Sequence, residues 1–130
     1  MAAGYFVPKL SGCAPAKFAT IKTEVINKQI TVPLAAFANT NMQLLQPKGW
    51  YYNIAVQKKS DNSFSALLLQ CTHQENQLTP TMDGFHCSFH GSDFDKNGNV
   101  RKGPAEDRLV EYPIAITGNI LIIQITKTPQ

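Results

Sequence analysis

Long apolar runs are missing from this chain. No stretch approaches the roughly 18 to 20 apolar residues that a helix needs to span a bilayer, so no membrane-spanning segment is expected. Helical patterning is missing as well. No window of about eleven residues or more repeats its apolar positions at helical spacing, which excludes bundles and coiled coils. Cysteine is scarce: the count is three, an odd number and too thin for a disulfide scaffold. Charge of one sign is not concentrated. Lys plus Arg number 12 and Asp plus Glu 9, and no basic run is interleaved with aromatics, so nucleic acid is not an expected partner. No G-x-S-x-G elbow, internal repeat or low-complexity stretch occurs.

What is present reads as one domain with enough apolar matter for a core: 130 residues, 43% hydrophobic. Nearly all of it has strand character. Phe18 to Val25 alternates loosely, and Ile30-Thr31-Val32-Pro33 is a short strand that ends at proline. Ala35 to Thr40 is a helical turn or loop. Trp50, Tyr52, Ile54 and Val56 share one face at period two; Tyr51, Asn53, Ala55 and Gln57 share the other. Ser60-Asp61-Asn62-Ser63 is a turn, and Phe64 to Gln70 the strand that follows, running straight into Cys71. Thr117-Gly118-Asn119 joins a second hairpin, Ile114 to Ile116 with Ile120 to Thr126, and Asn97-Gly98 marks another turn. The fold class is therefore all-β, an antiparallel sandwich or barrel.

Between the two hairpins the composition changes. From Cys71 to Ala105 aliphatic residues are few, Gly, Asp, Asn and Pro are many, and all three histidines occur. The segment reads as an insertion built around something other than hydrophobic burial. It holds two arms, Cys71-Thr72-His73 and Cys87-Ser88-Phe89-His90, each with one soft thiolate and one imidazole. Such a Cys₂His₂ set suits zinc or an iron–sulfur cluster, although zinc arms ordinarily pair Cys with Cys and His with His.

These arms, with Gly91-Ser92-Asp93-Phe94-Asp95 after the second and Gly103-Pro104-Ala105 further on, resemble the paired cluster loops and proline loop of the Rieske iron–sulfur family. The resemblance implies a Rieske fold, an antiparallel base over residues 17–130 with an inserted cluster-binding subdomain at about residues 71–105. It also implies a [2Fe–2S] cluster, with Cys71 and Cys87 on an inner iron and His73 and His90 on an outer one. Gly103, Pro104 and Ala105 would cover the cluster. Neutral imidazoles in place of two thiolates make the reduced state easier to reach. Such centres lie at about −150 to +300 mV, against about −400 mV for all-cysteine plant-type clusters.

Two further positions tune that range. Ser92 matches the family serine whose hydroxyl bonds a bridging sulfide and raises the potential. Phe94 stands where many high-potential relatives carry a tyrosine, and the disulfide of those relatives would fall near Asn76 and at Phe89, where this chain has no cysteine. The expected potential is intermediate.

The expected function is one-electron transfer by a stand-alone or tethered carrier, not an enzyme by itself, with a redox protein as partner. A subunit role in a larger oxidoreductase and a structural zinc module are the alternatives. Residues 1–16 read as a flexible segment in which Leu10-Ser11-Gly12-Cys13 resembles a bacterial lipobox. If that match is real, Cys13 carries a lipid anchor in the cell envelope; otherwise the chain is cytoplasmic. Asp93-x-Asp95-x-Asn97-Gly98 begins like a calcium loop, but its twelfth position is Pro104 where a glutamate is required, so it reads as a β-turn. His86 reads as a structural or solvent-facing residue and not a fifth ligand. Trp50, Tyr51 and Tyr52 read as packing residues.

Overall fold

The computed structural model describes residues 19–129. The N-terminal segment, with Cys13, lies outside them. Twelve strands follow in order: β1 (Thr20–Thr23), β2 (Gln29–Pro33), β3 (Met42–Pro47), β4 (Ile54–Lys58), β5 (Phe64–Leu68), β6 (Thr79–Thr81), β7 (Gly84–His86), β8 (Asp93–Asp95), β9 (Val100–Lys102), β10 (Glu111–Tyr112), β11 (Ile114–Thr117) and β12 (Ile120–Gln124). A 3₁₀ turn at Leu34–Phe37 occupies the expected helical turn. Among the described residues no helix is long and apolar enough to cross a membrane.

The strands form three sheets, ordered β1-β3-β4-β5-β10, β11-β12-β2 and β6-β7-β8-β9. All pairings are antiparallel except one. β1 runs parallel to β3, with Thr20 opposite Leu44. This pair departs from the antiparallel base that the sequence implies. The chain between β1 and β3 makes the crossover that a parallel pair needs, with β2 and the 3₁₀ turn inside it.

The five-stranded sheet is buried on both faces, and this explains its near-continuous apolar runs. Leu45, Ile54, Val56, Ala66 and Leu68 point into a first core shared with Ile30, Val32, Leu121 and Ile123 of the three-stranded sheet. Their neighbours Leu44, Ala55, Leu67 and Leu69 point the other way, into a second core with Leu78, Phe85 and Phe94. Period two thus survives inside Ala66 to Leu69, but both phases are apolar because both faces are covered. The segment from Cys71 to Ala105 contributes more to burial than its composition promised. Phe85 and Phe94, cross-strand partners on β7 and β8, close the second core.

Local chemistry sets the turns. At the β4–β5 connection Asp61 accepts the Ser63 N–H and hydroxyl, and Asn62 takes a positive φ of 68°. The expected strand from Trp50 begins only at Ile54. A turn through Lys48 and Gly49, with Gly49 at φ 83°, returns the Trp50 N–H to the Pro47 carbonyl at 3.0 Å. Trp50 and Tyr52 still reach the first core, as their phase predicted.

Candidate metal centre

β5 delivers the first cysteine. Past Leu68 the chain keeps a single bridge, Gln70 opposite Gln77, and everything between them is loop. The Cys71 N–H donates to the Asn76 carbonyl at 2.7 Å, and the Cys71 carbonyl accepts the Glu75 N–H at 2.8 Å. The second loop, between β7 and β8, repeats this pattern. The Cys87 N–H donates to the Ser92 carbonyl at 2.9 Å, and the Cys87 carbonyl accepts the Gly91 N–H at 3.0 Å. Each loop turns through a left-handed residue at the same place, Glu75 at φ 59° and Gly91 at φ 85°. Two unrelated stretches of sequence therefore build one backbone device twice, each with a cysteine at its start.

The side chains divide by depth. Cys71 and Cys87 are each 1% exposed, lie in the second core and form no disulfide. His73 and His90 are exposed, and their rings meet edge to face with centroids 5.3 Å apart. The four side chains thus set sulfur on the protein side and imidazole on the solvent side. Among the described residues no three His, Cys, Asp or Glu side chains converge as ligands of a single ion. A two-iron cluster asks for something else: its four donors spread over two metals, cysteines on one and histidines on the other.

A third loop packs beside the cysteines through Ala105. The Ala105 N–H donates to the Ser92 hydroxyl oxygen at 2.9 Å, which ties the Gly103-Pro104-Ala105 loop to the second cysteine loop. Ser92 is 0% exposed. A hydroxyl that accepts one bond still has a proton to give, and no protein acceptor for it is found among the described residues. Phe94 is fully buried in the core that holds both cysteines. Phe89, where the related disulfide would fall, is 72% exposed beside His90, their ring centroids 6.4 Å apart.

His86 is paired rather than free. Its Nδ1 lies 2.6 Å from Asp93 across β7 and β8, beneath the second loop. Asp95 accepts the N–H groups of Asn97 and Asn99, so the calcium-like run is a closed turn. Sequence reasoning missed two contacts on the first loop. The Tyr52 hydroxyl donates to the Glu75 carbonyl, and the Thr72 hydroxyl donates to the Asp107 carbonyl at 2.6 Å. The polar tip on an otherwise core-phased Tyr52 was the available signal for the first; nothing local marked the second.

Comparison with known proteins bears on the family and the fold. Among curated proteins none is significantly similar in sequence. In structure, the chain is similar to the cyanobacterial plasma membrane Rieske protein PetC3 from Synechocystis PCC 6803, with a TM-score of 0.58 and 27% identity over 71% of this chain and 94% of that one. It shares its fold with a chain of the complex of reduced oxygenase and oxidized ferredoxin in carbazole 1,9a-dioxygenase (TM-score 0.57, 18% identity, 81% of this chain and 100% of that one). The quaternary ammonium Rieske monooxygenase CntA has the same fold in part (TM-score 0.57, 14% identity), the match covering 83% of this chain and 34% of that longer one. The sequence profile of the Rieske [2Fe-2S] domain matches residues 26–113. This chain, with its buried cysteine pair beneath an exposed histidine pair, belongs to the Rieske family, whose domain binds a [2Fe–2S] cluster and transfers electrons through it.

Proposed function

We propose that Cys71 and Cys87 hold the inner iron and His73 and His90 the outer iron, within a cluster-binding subdomain at about residues 71–105. On this reading the chain is a stand-alone carrier of single electrons. The observation that carries it is the division of one donor set by depth, buried thiolates below and adjacent exposed imidazoles above. When bound, the cluster supplies a one-electron couple. The chain's residues do the rest. The second core keeps water from the cysteines, the exposed histidines offer a short path to a redox partner, and the Ser92 hydroxyl has a proton free for a sulfide. With Phe94 in place of a hydroxyl donor, the potential is intermediate within the Rieske range. No residue is assigned a catalytic role.

A second reading, a tethered carrier, is favoured by the lipobox-like Leu10 to Cys13 and by the likeness to a plasma membrane Rieske protein. Lipid on Cys13, read by mass spectrometry, supports it.

The primary test is visible absorption and low-temperature EPR, as isolated and after dithionite. A red-brown chromophore with a rhombic reduced signal averaging near g ~1.9 is expected for mixed His/Cys ligation. Loss of that signal in Cys71→Ser, Cys87→Ser, His73→Ala and His90→Ala assigns the ligands. A colourless, zinc-loaded protein overturns the reading, since Zn²⁺ is d¹⁰. A potential above about +250 mV refutes the intermediate assignment.

A further inference from the structure

The two cysteine loops share a backbone pattern but not the residue that suits it. Gly91 takes the left-handed turn of the second loop without a Cβ to object. The first loop sets Glu75 there, at φ 59°, a conformation L side chains seldom adopt. The in-loop bond from the Glu75 N–H to the Cys71 carbonyl is one restraint on it, and a second comes from outside the loop. The carbonyl of that same residue accepts the hydroxyl of Tyr52. Tyr52 is 6% exposed, anchored in the first core and edge-on to Tyr51 with centroids 5.0 Å apart, so its hydroxyl is fixed from below. On the other side of His73, the Thr72 hydroxyl is fastened to the Asp107 carbonyl. No disulfide joins the loops, because Cys71 and Cys87 are both free.

We propose that Tyr52 is a positioning residue for the cluster: its hydroxyl holds Glu75 in the left-handed turn and thereby fixes the loop that presents His73. This rests on the assignment of His73 as a ligand. Among the described residues Tyr52 makes no hydrogen bond to a cysteine or histidine; it acts through the Glu75 carbonyl. A base-domain residue more than one strand away in sequence thus sets the order of the outer-iron ligand.

The test compares the cluster-loaded wild type, Tyr52→Phe, Glu75→Gly and the double variant. Tyr52→Phe keeps the ring in the core and removes only the hydroxyl. Amide exchange within residues 72–76 of Tyr52→Phe is expected to rise about fivefold, in line with one lost hydrogen bond. Cluster loss to an iron chelator accelerates by a similar factor, and the reduced EPR lines broaden as His73 samples more orientations. Glycine adopts the turn unaided, so Glu75→Gly in the Tyr52→Phe background restores exchange and line width to within about twofold of wild type. Unchanged exchange and line width in Tyr52→Phe, or no rescue by Glu75→Gly, overturns the proposal and leaves Tyr52 a packing residue. Exchange reads the loop whatever ligates the iron. A signal that survives His73→Ala overturns the ligand assignment instead, and the exchange rates still decide the clamp.

Discussion

Replacing Ser92 by alanine removes one oxygen with two jobs. The oxygen accepts the Ala105 N–H at 2.9 Å, and on the proposed reading its remaining proton bonds a cluster sulfide. The site is 0% exposed, so water cannot substitute for either bond. Hydrogen bonds to charged groups contribute about 1.5–3 kcal/mol. The reduced cluster carries one more negative charge than the oxidised one, so roughly half of that value distinguishes the two states. For a one-electron couple, 59 mV corresponds to a factor of ten, or about 1.4 kcal/mol. Ser92→Ala is therefore expected to lower the potential by about 30–65 mV. Leaving the Ala105 N–H buried and unpaired costs about 1–3 kcal/mol of stability, read as a lower melting temperature. Protein-film voltammetry gives the potential. Ser92→Cys, with its weaker S–H donor, is expected to fall between serine and alanine. A fully loaded Ser92→Ala protein whose potential moves by less than about 15 mV, a quarter of the tenfold step, refutes the reasoning.

Phe94→Tyr places a hydroxyl in the core that holds both cysteines and is expected to raise the potential by tens of millivolts; an unchanged or lower value in a loaded protein speaks against that placement. A Cβ on Gly84 would lie 2.0 Å from the Phe94 carbonyl oxygen. Gly84→Ala therefore forces β7 from β8, costs about 1–3 kcal/mol in thermal unfolding and reduces cluster loading. Burial pushes the Tyr112 hydroxyl up to about 12 from 10.0. The unfolded chain then releases this proton first, so stability is intact below pH 10 and falls between pH 10 and about 12, by about 2–3 kcal/mol. Tyr112→Phe removes that decline, although it also removes the bond to the Lys127 carbonyl at 2.6 Å; denaturant titrations across this pH range measure the slope.

The strands legible in the sequence were those whose two faces differ or whose turns carry strong chemistry, such as β11 and β12 around Gly118. The phase of Tyr52, Ile54 and Val56 was also legible, because all three enter one core. β6 and β7 were not. Three-residue strands around Met82 and Asp83 show no period, and they exist because Phe85 is buried in the second core. The parallel β1–β3 pair was equally hidden, since pairing between distant strands leaves no local mark. The four candidate ligands stood out because their residue types are chemically distinctive. The contacts that orient them did not, because a tyrosine hydroxyl meeting a backbone carbonyl 23 residues away leaves no trace in spacing.

The two cores on either side of the five-stranded sheet also order the life history of the molecule. The first core contains no residue from either cysteine loop, whereas the second contains both cysteines. The first core is therefore expected to consolidate before any iron arrives. The second core, which includes both cysteines, is the part expected to tighten when a cluster is seated. Loss of the iron is then expected to loosen the second core and leave the first standing.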